Sequence, residues 1–273
     1  MLRTFSRYSF PITDTKGRAT SRPMRRLALP AAITAALSCN AGVASAGYLY
    51  GPTQTETVGP TSSLETWLAS DGAALTVSDG GVVQGAIGIN GGSIRMESGS
   101  SSISQGHGVS LNGASADITG ATIVSALPGG GGLVVALGNY SGSSATVSNS
   151  TISGSFGVIL QGETSDVHIA QSAITSKNAG LYGMNGGYAE LADTTIQTTG
   201  DAGQGFAMLS GSRVNARSVS ISTSGINATG IMASDADTEV TFTDGSIRTT
   251  GANARGVFSR YDGALVTIAG SQI

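Results

Sequence analysis

A short sequence motif recurs along this 273-residue chain. In each copy, four mostly small or polar residues separate two apolar residues. Successive copies begin roughly 22 to 29 residues apart, and a period in this range is typical of stacked-repeat proteins. The seven apolar pairs are Ile118/Ile123, Val147/Ile152, Ile169/Ile174, Leu191/Ile196, Val214/Val219, Phe242/Ile247 and Ile268/Ile273. A glycine followed by an apolar residue, here called the glycine step, recurs with a similar period at Gly108-Val109, Gly132-Leu133, Gly157-Val158, Gly180-Leu181, Gly205-Phe206, Gly230-Ile231 and Gly256-Val257.

Each repeat is expected to contain three short strands joined by turns. Alternating triplets such as Val167-His-Ile169 and Val240-Thr-Phe242 end on the first apolar residue of a pair, and a period of two indicates a strand with one buried face. A helix would need apolar residues at i, i+3, i+4 and i+7, which no long stretch of the repeat region supplies. Because one such unit cannot bury its own face, we predict an all-β, right-handed parallel β-helix of about eight to nine coils with an N-terminal cap.

A β-sandwich or β-propeller is the main alternative to this fold. A sandwich gives no reason for the apolar pair to recur with the same glycine step, and a propeller blade of about 40 residues or more is longer than these units. The aromatic content of 5% suits coils that each bury only a few aliphatic side chains. Hydrophobic residues make up 40% of the chain and recur at the same positions of successive repeats, which argues against disorder.

The first 46 residues differ in composition from the repeats. Seven of the fourteen basic residues precede Leu27, and an apolar run follows over residues 27–37. Ala44-Ser-Ala46 then matches the cleavage pattern of a secretory signal peptide, and the apolar run is too short to span a membrane. We therefore predict a signal peptide over residues 1–46, cleaved to leave Gly47 first. Its long basic region indicates either an extended signal or initiation at Met24.

Two other export signals match only in part. Arg25-Arg26 is loosely similar to a twin-arginine signal, and Ala36-Leu-Ser-Cys39 to a lipoprotein site in which alanine replaces the usual leucine. Cleavage after Ala46 removes the only cysteine, so disulfides would play no part in the exported protein. It leaves sixteen acidic and seven basic residues, a formal charge of −9, which disfavours nucleic acid and anionic lipid as partners.

Residues 47–72 carry no clear repeat and include Trp67, the only tryptophan. We predict that this segment is an N-terminal cap that covers the open strand edges of the first coil, with a ligand-contacting head as the alternative. Residues 73–273 then form the repeats. Leu75-Thr-Val77 and Ile94-Arg-Met96 are expected in the first two coils.

Three segments of the repeat region share a sequence motif. Gly245–Val257 reads Gly-Ser-Ile-Arg-Thr-Thr-Gly-Ala-Asn-Ala-Arg-Gly-Val, and Ile196–Gly200 and Ile221–Gly225 repeat its central phrase. With the extended basic signal and the cysteine-free, Gly/Ser/Thr-rich repeats, they resemble the pertactin-like passenger domain of bacterial autotransporters over about residues 70–273. The resemblance implies a right-handed β-helix displayed on the surface of a Gram-negative cell, commonly as an adhesin or another virulence-associated factor.

The chain departs from that family in one respect. Autotransporters end in a translocator β-barrel of alternating strands, and no such strands occur before the chain ends at Ile273. We expect either a truncated product that reaches the periplasm or a fragment whose barrel lies outside this chain and carries it to the cell surface. The expected partners are host or bacterial cell-surface molecules and an outer-membrane translocator barrel.

Polysaccharide-cleaving enzymes also use β-helices, and their chemistry depends on acid/base residues. Gly106-His107-Gly108 matches a phrase of polygalacturonases, but those enzymes also need clustered aspartates at the glycosidic bond. Asp117, Asp166 and Asp193 are scattered one per coil, with no Asp-Asp pair. We therefore predict that His107 is a turn residue. His168 alternates with apolar neighbours and is expected to point outward from a strand.

The densest acidic group is formed by Asp235, Asp237, Glu239 and Asp244, whose carboxylates could bind Ca²⁺. No calcium-binding nonapeptide repeat accompanies them, so we predict a solvated loop. The sequence indicates no catalytic residue, metal or cofactor. It favours a non-enzymatic, adhesin-like passenger, and the alternative is a polysaccharide-active β-helix enzyme, either a lyase or a hydrolase.

Overall fold

The chain forms a parallel β-solenoid of about nine coils. The computed structural model describes residues 46–136, 142–261 and 263–273, and the predicted signal residues 1–45 lie outside this part. The described residues form strands β1 to β26 and no helix, and each strand pairs in parallel with its counterpart in the neighbouring coils. The predicted fold class is thereby confirmed. The right hand of the winding, which the chirality of parallel connections favours, stays a prediction.

Three faces surround a narrow interior. The first face is a ten-stranded sheet made of β2 (Thr55–Val58), β4 (Ala74–Val77), β7 (Ser93–Met96), β10 (Ser115–Thr119), β13 (Ser144–Ser148), β15 (Asp166–Ala170), β17 (Tyr188–Ala192), β20 (Arg213–Arg217), β23 (Glu239–Thr243) and β26 (Leu265–Ala269). The second face contains β5 (Val82–Val83), β8 (Ser101–Ser104), β11 (Thr122–Ser125), the first halves of β14 (Thr151–Gln161) and β16 (Ala173–Met184), β18 (Thr195–Thr198), β21 (Ser220–Thr223) and β24 (Ser246–Thr249).

The third face is connected to the second at two coils. It contains β1 (Ala46–Tyr50), β3 (Thr66–Ser70), β6 (Ala86–Ile89), β9 (Val109–Asn112), β12 (Gly131–Val135), the second halves of β14 and β16, β19 (Gln204–Leu209), β22 (Thr229–Ser234) and β25 (Arg255–Arg260). Because β14 and β16 run without a break through both faces, the second and third faces form a single sixteen-stranded sheet.

Five of the seven predicted apolar pairs line the interior, with the first member on the first face and the second member on the second face, so that like residues stack from coil to coil. Ile174 and Ile196, for example, are direct neighbours in the ladder and are each about 1% exposed. This stacking removes the apolar side chains from water while the backbone of each strand stays hydrogen-bonded to the neighbouring coils. In the last pair, Ile268 is half-buried and Ile273 is 67% exposed, so the prediction that this pair lines the interior is wrong for Ile273.

One predicted pair, Val214/Val219, is two residues out of register. Leu191 pairs with Ala216 and Ile196 pairs with Ile221, so Ala216 and Ile221 occupy the repeated positions. The sequence pattern failed here because an alanine is not distinguishable from the many small residues around it. Both valines are nevertheless buried, at other interior positions.

Two phenylalanines accompany this small side chain. Phe242 is the neighbour of Ala216 in the following coil, and its ring meets that of Phe206 edge-on with centroids 6.3 Å apart. Both rings are fully buried. A large side chain next to a small one keeps the packing density of the interior close to that of other coils.

Residues 47–72, predicted as a cap without repeats, contribute strands to the solenoid. β1 and β3 pair on the third face, and β2 pairs with β4 on the first, with Val58 opposite Val77. This coil is hard to recognise from the sequence because Val58 is the only buried residue of β2. Whether this first coil also acts as a cap stays a prediction.

The glycine of each glycine step lies against the isoleucine of the following coil. A Cβ atom placed on Gly180 would be 2.2 Å from Cγ2 of Ile196, and one on Gly205 would be 2.2 Å from Cγ2 of Ile221. Real side-chain carbons do not approach this closely, so any larger residue would force neighbouring coils apart. The same contact, at 2.2–2.6 Å, recurs at Gly108, Gly132, Gly157, Gly180, Gly205, Gly230 and Gly256.

We predict that Gly205→Ala destabilises the solenoid by about 1–3 kcal/mol, the usual cost of an over-packed core. The added methyl would clash with Ile221 and also lie 2.5 Å from the carbonyl oxygen of Gly230. Gly59→Ala is the matched control because its nearest neighbour, Oγ of Ser78, would be 3.6 Å away. Urea unfolding of the full chain, followed by circular dichroism, measures the effect. Equal unfolding midpoints for the two variants would contradict the packing role of the glycine.

Candidate functional site

His107 lies in the turn between β8 and β9 and acts as a structural acceptor. Its Nδ1 accepts a hydrogen bond from the backbone N–H of Gly131 at 3.1 Å, which ties this turn to the start of β12. Burial lowers the pKa of His107 below its ordinary value. The imidazole is therefore neutral, with its proton on Nε2. The prediction that His107 is a turn residue is confirmed.

The aspartates considered for acid/base chemistry do not meet. Asp117 and Asp166 lie on β10 and β15, which are separated by β13 and are therefore about 10 Å apart. Asp193 occupies a turn, where its φ of 49° places the backbone in the left-handed region. Asparagine and aspartate tolerate this conformation better than most residues, which gives Asp193 a structural role.

The acidic group around residue 237 is also dispersed by the fold. Asp235 accepts the backbone N–H of Ser210 at 3.3 Å, and Glu239 pairs with Arg213 at 3.6 Å between Oε2 and Nε. Asp244 pairs instead with Arg217. In the part of the chain that the structure describes, no group of three or more His, Cys, Asp or Glu side chains is arranged to hold a metal ion.

Titratable side chains do cluster on the outer surface of the first face. His168 lies between two carboxylates, with Nε2 3.3 Å from Oδ2 of Asp166 and Nδ1 3.0 Å from Oε2 of Glu190. The Tyr188 ring meets the imidazole edge-on, with ring centroids 6.3 Å apart. His168 is 44% exposed, in agreement with the prediction that it points outward.

The next coil extends this cluster. Burial and the charge of Glu190 raise the pKa of Tyr188, and a hydrogen bond with Asn215 acts in the opposite direction. Arg213 pairs with Tyr188 in the strand register and is held by Glu239 from the following coil. We call this group, formed by Asp166, His168, Tyr188, Glu190, Arg213 and Asn215, the first-face cluster.

A groove of about 600 Å³ adjoins the first-face cluster, at the corner where the third face turns into the first. Turns of four successive coils form its walls. Its polar lining includes Glu163, Asn185, Ser210, Arg213 and Asp237. Arg213 belongs to both the groove and the cluster, so the two form one continuous surface.

A second surface runs along the outside of the third face. Strand register places ten residues in one outward row, which we call the outer apolar column: Tyr48, Leu68, Ile87, Ser110, Val134, Ile159, Tyr182, Ala207, Met232 and Phe258. All but Ser110 are apolar or aromatic, and the row is about 43 Å long. The corresponding row on the first face is polar throughout: Thr57, Thr76, Arg95, Asp117, Thr146, His168, Glu190, Asn215, Thr241 and Thr267.

Exposure varies along the column: Tyr48 at its N-terminal end is exposed, whereas five members behind it are buried, namely Leu68, Ile87, Ser110, Val134 and Ala207. Leu68 and Ile87, with Ile89 beside them, form a buried cluster separate from the interior core. Towards the C-terminus, Tyr182 and Phe258 are half-buried, and Tyr182 packs on Phe156 with ring centroids 5.2 Å apart. The column was not recognised from the sequence, although its signal is present: an apolar residue follows the glycine step in most coils, where alternation calls for a polar one.

The predicted cleavage site is only partly described. Ala44 lies outside the described residues, while Ala46 and Gly47 begin β1 and pair with Thr66 and Trp67. Cleavage between Ala46 and Gly47 stays a prediction. The described residues contain no helix that is long and apolar enough to cross a membrane.

In comparisons with known proteins, no family model, curated protein sequence or solved structure matches this chain.

We predict that the free energy of unfolding decreases as the pH falls below about 6.5, the ordinary pKa of histidine. Because burial lowers the pKa of His107 in the folded state, the unfolded state binds the proton more readily, and stability is fully present only above that pH. Urea midpoints between pH 8 and 5.5 test this. His107→Gln, which keeps an acceptor for Gly131, should flatten the profile, whereas a profile that His107→Gln leaves unchanged would contradict the role of this histidine. His168→Gln, on the exposed surface, is the control. This variant should still lose the stability that depends on neutral His107 when the pH falls.

Proposed function

We propose that this chain is a non-enzymatic passenger of the autotransporter type that binds molecules on other cell surfaces in an adhesin-like manner. The observation that carries the proposal is the outer apolar column. Its residues point away from the interior, and those that are partly exposed, Tyr182, Met232 and Phe258, give the outer surface an apolar character that is typical of interaction sites. The solenoid supports it by presenting long, flat faces to a partner.

The proposal includes export. Residues 1–46 act as a Sec signal, and a translocator barrel outside this chain places the repeats on the cell surface or releases them from it. The lack of cysteine in residues 47–273 supports this route, since no disulfide-closed loop would obstruct passage through a narrow pore.

A polysaccharide-active enzyme is the second candidate, and one observation favours it. His168 and its two flanking carboxylates lie on an outward strand surface, where a polymer could reach them. Acid/base cleavage needs two carboxyl groups placed on either side of a glycosidic bond. Here both carboxylates are engaged by one imidazole, which favours binding over catalysis. Release of reducing ends from polygalacturonate by the purified chain, abolished by His168→Ala, would establish the enzyme instead.

Adhesion assays test the binding role of the column. We predict that beads coated with the purified chain adhere to cultured cells, and that the variant Tyr182→Ser, Met232→Ser, Phe258→Ser reduces adhesion at least about fivefold, as expected when anchor residues are truncated. Gln197→Ser with Arg248→Ser, on the outer surface of the second face, is the matched control. Unchanged adhesion by a folded triple variant would overturn the role of the column.

Export is tested separately. We predict that the chain, expressed in a Gram-negative host and recovered from the periplasm, has the mass of a protein beginning at Gly47. A product that retains Arg25 and Arg26, or one that begins with a lipid-modified Cys39, would contradict the proposed cleavage.

A further inference from the structure

The first-face cluster and the corner groove meet at one basic side chain. Arg213 begins β20, lines the groove and pairs with Tyr188 in the strand register. Asn185, which also lines the groove, lies in the turn that precedes Tyr188, so β17 begins beside the groove. The groove of about 600 Å³ is within the range of sites for small ligands.

Hydrogen-bond donors and acceptors both occur on this surface. Arg213, Asn185 and the hydroxyl of Ser210 can donate hydrogen bonds, while the carboxylates of Glu163 and Asp237 can only accept them. Tyr188 adds a half-buried aromatic ring. A ligand that matches this surface needs many hydroxyl groups, which both donate and accept, and an apolar side that packs on a ring. Sugars have both properties.

Charge narrows the class of sugar. Glu163 and Asp237 line the groove, Asp166 and Glu190 lie beside it, and Arg213 is the single basic residue among its lining side chains. A surface with this excess of carboxylates repels an anionic ligand and attracts a cationic one. The ion pair of Arg213 with Glu239 further reduces the positive charge available to a ligand.

Ion pairs orient the charged groups of this surface. His168 lies between two carboxylates, and Arg213 pairs with Glu239 of the next coil. Backbone register sets the spacing of the rungs at about 4.8 Å.

We infer that the groove and the first-face cluster form a binding site for amino-sugar oligosaccharides, with Tyr188 as the stacking platform and with Glu163 and Asp237, three coils apart, as partners of the ammonium groups of different sugar units. The inference goes beyond the proposed function, because it names a ligand class for a surface distinct from the outer apolar column.

Titration calorimetry with the full chain tests the ligand class. Three probes of equal length are compared: a glucosamine tetramer, an N-acetylglucosamine tetramer and a galacturonic acid tetramer. The glucosamine tetramer should bind at least about tenfold more tightly than the galacturonic acid tetramer, and added salt should reduce this difference. Equal or tighter binding of the anionic tetramer, or no heat with the glucosamine tetramer at millimolar concentration, would overturn the inference.

Variants locate the site. Tyr188→Ala should weaken binding of the glucosamine tetramer at least about fivefold, and Asp237→Asn should reduce its preference over the acetylated tetramer. Tyr48→Ala removes an exposed tyrosine at the far end of the third face and is the matched control. Circular dichroism confirms that each variant folds. Loss of binding with Tyr48→Ala but not with Tyr188→Ala would place the ligand elsewhere and overturn the site.

The two proposals fail separately. If coated beads adhere through the outer apolar column while no amino sugar binds, the site inference is wrong and the adhesive function stands. If the glucosamine tetramer binds at Tyr188 but the beads do not adhere, the site stands and the adhesive function is wrong. Cleavage of any tetramer during the titration would replace the binding role with an enzymatic one.

Discussion

The spacing between parallel strands of successive coils, about 4.8 Å, is the constraint on which the rest of this structure depends. At that distance the interior admits one layer of side chains per coil, and the glycine at each step leaves just enough room for the isoleucine of the next coil. Aliphatic residues therefore dominate the interior. Among the described residues, the rings of Phe206 and Phe242 are fully buried and contact each other, and Phe242 follows a coil in which the same position is alanine.

Much of the fold could be predicted from the sequence because this constraint acts at the same positions in every coil. The apolar pairs and glycine steps indicated the interior, the three strands and the stacking. The pattern failed where a small residue replaced an anchor, at Ala216, and where one buried side chain, Val58, was the whole signal for a strand. In both places neighbouring coils supply the burial that the local sequence does not specify.

The outer surfaces were far less predictable. Outward residues are not subject to the spacing constraint, so they differ from coil to coil, and their meaning depends on register across strands. His168, Tyr188 and Arg213 are 20 and 25 residues apart in the chain, yet they lie on strands of three successive coils. A polar cluster on one face and an apolar column on another can therefore coexist on a single repeat, because neither interferes with the packing of the interior.

The contact between glycine and isoleucine also gives the solenoid a direction. The gap above the glycine of each coil is filled by the isoleucine of the coil that follows it in the chain. The isoleucine of the same coil fills the gap above the glycine of the coil before it. The two ends of any stretch of coils are consequently unlike: one presents a protruding side chain and the other a recess. Coils of this kind can stack head to tail in sequence order, but two copies of the same end have no matching shapes to join.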